Sequence, residues 1–349
     1  MKLALIHYRV MRFAGGLESR LTSYLSEFVS RGHEVTLISA QPRNLPLPEG
    51  VRLQRLPRGP VPKKFQQLVF NSFLSGWMRR NAYDLSISTM RTSHQDIVLI
   101  PGTHLGFLKA MDLPEGGWGD RAQIRLDRLA FSGSKKILAA SHMMMQEACE
   151  LYGVPEEKVE VLIPPADTSR FRLQPEKREE ARKALGIKEG EIACAFVSAS
   201  HHRKGIDLLI EAFKALTGQR FRLLVAGSPL TPRASALENV TFLGHLSNPE
   251  ELYAACDLTL LPALYEPYGQ VITESVLCGV PAFASDRVGA GHYLTAEEGK
   301  VLPCDQPEAW IEAIRTFEPE AYNPGPDFLR RMKPGVSDHV ERMLTTRLD

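Results

Sequence analysis

Short apolar runs alternate with amphipathic helical stretches along nearly the whole chain. In the first half, strands are predicted at Leu3–His7, Glu34–Ser39, Val51–Leu56, Asp84–Ser88, Asp96–Ile100, Lys136–Ala140 and Val159–Ile163. Between the first two, Leu17, Leu21, Tyr24, Leu25 and Phe28 recur at i, i+3, i+4 spacing, which marks one face of a helix. The rhythm restarts at Ile192–Ser198 and continues through Phe221–Ala226, Val240–Leu243, Leu258–Leu261 and Pro281–Ala284. A helix after Gly205 puts Ile206, Leu209, Ile210 and Phe213 on one side. Near-continuous apolar strands separated by helices belong to parallel sheets covered on both faces. The predicted class is therefore α/β, with two Rossmann-like domains at 1–165 and 166–325. The join falls near Ile163–Arg172, where the segment IPPADTSRF has two prolines and no periodicity. The amphipathic tail 326–349 reads as a helix that packs back on the first domain.

Composition mainly excludes. A chain of 349 residues with 44% hydrophobic and 24% charged residues is neither disordered nor short of core. No apolar stretch reaches the roughly 20 residues of a membrane helix, and the start MKLALIHYRVMRF lacks a signal-peptide layout. Five dispersed cysteines without a C-x-x-C spacing speak against a disulfide framework and a zinc site. A reduced cytosol is the expected compartment, and the chain is expected to act as a monomer with no bound metal or cofactor.

Charge is distributed unevenly along the chain. Residues 1–160 hold 21 basic and 15 acidic side chains, a net of +6, whereas the remainder is net −5. Between 43 and 80, Arg43, Arg52, Arg55, Arg58, Lys63, Lys64, Arg79 and Arg80 face only Glu49 and Asp-free sequence. The segment KKFQQLVFNSFLSGWMRR has a broad apolar arc with basic pairs at both ends. That composition suits an anionic membrane surface as well as a helix packed on its own sheet. No RNA-binding motif accompanies it, and nucleic acid is not an expected partner.

Three loops carry candidate chemistry. Gly15 and Gly16 follow the first strand and precede a helix, where paired glycines let amides approach a phosphate; a plain tight turn is the alternative. Neither G-x-G-x-x-G nor G-x-x-x-x-G-K-[ST] is present, which lowers the case for a dinucleotide enzyme or a P-loop NTPase. In SHHRKGIDLLIEAF, Arg203 and Lys204 stand at the mouth of a helix and can clamp a diphosphate, or simply form a solvated basic turn. In PALYEPYGQVITESVLCGVP, Glu266 lies before a helix opened by Gly269, and Glu274 lies inside it. Two acceptor-only carboxylates in this arrangement suit vicinal sugar hydroxyls, with free helix-start amides left for phosphate.

At these residues the chain resembles the retaining glycosyltransferases of family 4, which have the GT-B architecture of two Rossmann-like domains. EPYGQVITE resembles the family's E-x(7)-E signature, KGIDLLIEAF the stretch after its phosphate-binding lysine, and GGLE with RGHEVTLI its first glycine loop and second strand. HHRKG together with GAGHYL is most similar to the lipopolysaccharide-core glucosyltransferase subgroup. The resemblance implies that Glu266 bonds donor-sugar hydroxyls, Glu274 the ribose, and Arg203 with Lys204 the diphosphate. It also implies that amides of Gly16, Tyr268, Gly269 and Gln270 meet phosphate or sugar, that His245 and Leu246 meet the base, and that His104 stands near the reacting sugar. The family arginine five residues before the lysine is replaced by Ala199, so Arg203 would take over its role. The implied donor is UDP-linked and the acceptor a glycan or lipid-linked glycan, used on the inner face of a membrane. No D-x-D motif occurs, which agrees with metal-independent transfer. An epimerase of the same fold and a non-catalytic nucleotide-sugar binder are the alternatives.

Overall fold

The structure, a computed structural model, describes residues 1–10, 16–42, 47–229 and 237–348. It divides into two compact units, Met1–Pro165 with Gly335–Asp349, and Ala166–Pro334.

The strands of the first unit are β1 (Lys2–Ile6), β2 (Arg9–Val10), β3 (Glu34–Ser39), β4 (Gln41–Pro42), β5 (Val51–Arg55), β6 (Leu85–Ser88), β7 (Ile97–Ile100), β8 (Lys136–Ala139) and β9 (Val159–Val161). Its first helices are α1 (Gly16–Ser30), α2 (Lys63–Arg80), α3 (His104–Ala110), α4 (Trp118–Ser132) and α5 (His142–Tyr152). Seven strands form one parallel sheet in the order β5-β3-β1-β6-β7-β8-β9, and the short β2 and β4 pair beyond it. Successive side chains of a strand point to opposite faces. Leu3 and Leu5 of β1 accordingly enter a core with Leu21, Tyr24, Leu25 and Phe28 of α1. Ala4 and Ile6 enter another with Phe70 and Leu74 of α2. This alternation is why the strands read as continuous apolar runs.

Most of the apolar arc of α2 is thus used internally. Phe70 packs edge-on against Tyr8 with ring centroids 5.2 Å apart, and Trp77 and Met78 lean on the same core. Phe73 stays 47% exposed, and the basic residues Lys63, Lys64, Arg79 and Arg80 at the two ends are exposed as well.

The second unit contains β10 (Ile192–Ser198), β11 (Phe221–Gly227), β12 (Val240–Gly244), β13 (Leu258–Leu261), β14 (Ala282–Ser285) and β15 (Gly299–Leu302). Its helices are α6 (Arg178–Ala184), α7 (Ile206–Ala215), α8 (Pro249–Ala255), α9 (Gln270–Leu277), α10 (Pro307–Arg315) and α11 (Pro326–Met332). The sheet is again parallel, in the order β12-β11-β10-β13-β14-β15. The edge strand β15 is missing from the sequence expectation because Lys300 and Val301 face outward and leave no apolar run. In each sheet the order reverses beside the first strand, at β1 and at β10. Open α/β sheets bind ligands at the carboxyl ends of the strands beside such a reversal.

The tail corrects one expectation. Residues 326–349 hold two helices rather than one: α11 ends at Met332 and is capped by Lys333, which takes a left-handed φ of 43°, and Pro334 and Gly335 follow before α12 (Val336–Thr345). Proline cannot continue the amide ladder of the helix before it. α11 belongs to the second unit, where Arg331 reaches Glu298 at 2.7 Å. α12 belongs to the first, with Val340 and Met343 buried and His339 stacked on Tyr24 at 5.3 Å. Burial pushes the His339 imidazole down to about 3 and keeps it neutral.

Candidate functional site

The loop after β10 and the loop after β13 are pressed together at the carboxyl edge of the second sheet. Gly205 ends the first loop with φ of 80°, and a Cβ there would lie 1.9 Å from the Pro262 carbonyl oxygen. Only glycine permits that approach. The Leu264 N–H then donates to the Arg203 carbonyl at 2.9 Å. This backbone contact sets three charged side chains side by side. Arg203 Nη1 donates to the Tyr265 carbonyl and to Glu266 Oε2, the latter at 3.2 Å. Lys204 Nζ lies 3.6 Å from the same carboxylate oxygen and donates to the Val197 carbonyl at 3.3 Å. The Lys204 and Glu266 side chains are only 15% and 14% exposed. Two cations against one anion leave a net positive, partly dehydrated spot, where an added diphosphate is held more strongly than at an open surface.

The loop that carries Glu266 is itself zipped to the segment after β14. Glu266 N–H donates to Arg287 O at 3.0 Å, Gly289 N–H to Glu266 O at 3.0 Å, and Ala290 N–H to Tyr268 O at 2.7 Å. Gly269 has φ of 97°, and a Cβ there would meet Val288 Cγ1 at 2.9 Å. This tight turn lets α9 start at Gln270, with the Ile272 N–H bonded to Gly269 O at 3.0 Å. Amides of a first helical turn precede the intrahelical ladder and face outward as anion donors.

One turn on, Glu274 accepts a hydrogen bond from the Tyr253 hydroxyl of α8 at 3.1 Å. Tyr253 is fully buried; burial, and then the Glu274 charge, push its phenol well above the usual range. The phenol therefore remains a donor and fixes the direction of Glu274. Tyr268 is anchored by its own hydroxyl on Thr273 at 2.8 Å.

Arg203, Lys204 and Glu266 are thus brought into contact, and Tyr268, Gly269 and Gln270 lead directly into the helix of Glu274. His245 is exposed just after β12, and Leu246 is half-buried against the core that holds Leu185 and Leu252. In the first unit, Gly16 opens α1, while Gly15 lies outside the described residues.

His104 follows β7 as the first residue of α3. Thr103 caps that helix by accepting from the Gly106 N–H. The His104 main-chain N–H donates to Asp127 Oδ2 at 2.8 Å, and its Nε2 lies 3.0 Å from Asp120 Oδ1. Asp127 is completely buried; it also accepts from the Tyr152 hydroxyl at 2.6 Å and pairs with Arg91 at 3.3 Å. Burial raises its carboxyl, against the pull of Arg91. Asp120 is held below the usual carboxylate range, chiefly by His104 and then by the Gly117 N–H.

Tyr253, Asp120 and Asp127 escape a reading of the sequence. Gly117-Trp-Gly-Asp120 does carry a capping signal, but Tyr253 and Asp127 sit among apolar residues of helices and only tertiary packing shows their partners.

Residues 177–326 match the family described as glycosyl transferases group 1, and residues 14–170 match glycosyltransferase family 4. A protein of Burkholderia thailandensis named "Probable transglycosylase" is 33% identical over 283 residues, covering 80% of this chain and 76% of its own. Among solved structures, WaaG, a glycosyltransferase involved in lipopolysaccharide biosynthesis, superposes with a TM-score of 0.76 at 21% identity, over 99% of this chain and 96% of that one. HepE of Anabaena in complex with UDP-glucose gives 0.72 at 18% identity, over 99% and 98%. Both share the fold of the chain.

Proposed function

The chain belongs to the family 4 glycosyltransferases, retaining enzymes that use nucleotide-sugar donors, and on that premise we propose that it moves a hexose from a UDP-sugar to a hydroxyl of a lipid-linked glycan such as a lipopolysaccharide core. The observation that carries this reading is the contact of Arg203, Lys204 and Glu266 at the reversal point of the second sheet, next to the helix of Glu274. In this reading Arg203 and Lys204 take the diphosphate. Glu266, already turned toward both cations, accepts from hydroxyls of the transferred sugar, and Glu274 from the ribose. The amides of Tyr268, Gly269 and Gln270 add donors to phosphate or sugar, and Gly16 does so from the first unit. His245 and Leu246 meet the base, and His104 bonds a hydroxyl of the reacting sugar.

As the glycosidic bond to the leaving group breaks, the sugar becomes cation-like and the diphosphate gains negative charge. The cationic pair stabilises that charge where it develops. The acceptor hydroxyl forms the new bond on the same face, its proton passing to the departing phosphate, so the anomeric configuration is kept and no separate base is demanded.

Thermal shifts against UDP-, GDP- and ADP-sugars test the donor. A ligand at 100 times its Kd adds about 2.7 kcal/mol to stability, so the UDP-sugar should raise Tm while the others leave it near its free value. A larger shift with a GDP- or ADP-sugar would remove the UDP assignment.

For a lipid-linked acceptor, the exposed face of α2, with Phe73 and its terminal basic pairs, supports a position against the anionic inner face of a membrane, in the cytoplasm. No helix among the described residues is long and apolar enough to cross one. Anionic vesicles should sediment the protein at low salt and release it at high salt. No sedimentation at low salt would rule this contact out.

A further inference from the structure

We propose that Asp120 is a positioning residue that fixes the tautomer and direction of the His104 imidazole; its relevance to catalysis rests on the reading of His104 as a substrate contact. The two oxygens of Asp120 do different work. Oδ2 accepts from the Gly117 N–H at 3.1 Å and caps α4, while Oδ1 faces His104 Nε2 at 3.0 Å. The carboxylate cannot swing toward another partner without giving up the cap. Gly117 leaves room for this arrangement, since a Cβ there would lie 2.8 Å from Oδ2.

An ionised carboxylate only accepts hydrogen bonds, so in the neutral ring Nε2 carries the proton and Nδ1 is left as the acceptor. Among the described residues no hydrogen bond reaches Nδ1. The ring also stacks on Phe107, with centroids 6.1 Å apart and planes 29° from parallel, which limits its tilt. The backbone beneath it is held by a second carboxylate, Asp127, through the His104 N–H. Ring and main chain are therefore fixed by separate anions, and Nδ1 is the ring nitrogen left to accept a hydrogen bond from a substrate hydroxyl.

Asp120→Asn separates this role from helix capping. The asparagine oxygen can still accept from Gly117, but its NH₂ then faces Nε2 and demands an acceptor there. The proton moves to Nδ1, which changes from an acceptor to a donor. Nitrogen-15 NMR of the whole 349-residue chain reads this directly, with the His104 signal identified by its loss in His104→Gln. The expected results are an Nε2–H tautomer in the native protein, an Nδ1–H tautomer in Asp120→Asn, a similar Tm for both, and at least a tenfold fall in kcat. In a His104→Ala background, Asp120→Asn should cost no further activity. An Nδ1–H tautomer in the native protein, or an Asp120→Asn variant with native tautomer and native kcat, would overturn the proposal. Native turnover in His104→Ala alone would instead remove the substrate contact of His104, with the tautomer measurement still deciding what Asp120 does.

Discussion

Lys204→Ala should lower kcat by about 10²–10³-fold, the usual loss when one preorganised donor to developing negative charge is removed. The effect belongs in kcat rather than KM, because the charge on the leaving diphosphate peaks in the transition state. Lys204 is set for this by position. It lies on the loop after β10, is anchored on the Val197 carbonyl, and shares Glu266 with Arg203. Removing it leaves Glu266 paired with Arg203 alone, so part of the remaining positive charge is spent on the protein's own carboxylate. Lys204→Arg should restore only a fraction of the rate, since a planar guanidinium does not fit the contacts of a compact ammonium. Steady-state kinetics decide the matter, and turnover within threefold of the native enzyme for Lys204→Ala would refute the diphosphate clamp.

Glu274→Ala should weaken nucleotide-sugar binding about tenfold to a hundredfold, the range of a hydrogen bond made by a charged group at about 1.5–3 kcal/mol. The same change strands the buried Tyr253 hydroxyl, whose acceptor is Glu274, and should cost about 1–3 kcal/mol of stability. The two losses can be parted. Tyr253→Phe added to Glu274→Ala removes the stranded donor and should recover part of the stability, but none of the affinity. Calorimetric titration of UDP into the two variants measures the second quantity. Native affinity in Glu274→Ala would remove the ribose assignment.

Much of this site is legible in the sequence because its parts are local. Arg203, Lys204 and Gly205 lie on one loop, Glu266 to Glu274 on another, and both follow apolar strands whose rhythm marks them as parallel. The contact between the loops is not legible. It depends on the Gly205 backbone lying against Pro262, which are neighbours only after β10 and β13 pair. The second layer is hidden for the same reason: Tyr253 reads as one more apolar-face residue of α8, and Asp127 as one more charge on α4. The tail shows the opposite failure. Its apolar periodicity resumes on both sides of Lys333–Gly335 and so reads as one helix, although Pro334-Gly335 is a legible stop signal, and that break gives its two halves to different units.

A crystal structure with UDP-glucose bound would show directly whether Arg203, Lys204 and Glu274 hold the donor. The expected result is diphosphate oxygens within hydrogen-bond reach of Arg203 and Lys204 and ribose hydroxyls on Glu274. A nucleotide seated away from the carboxyl edge of β10 and β13, or bound there without touching Lys204 and Glu274, would contradict it.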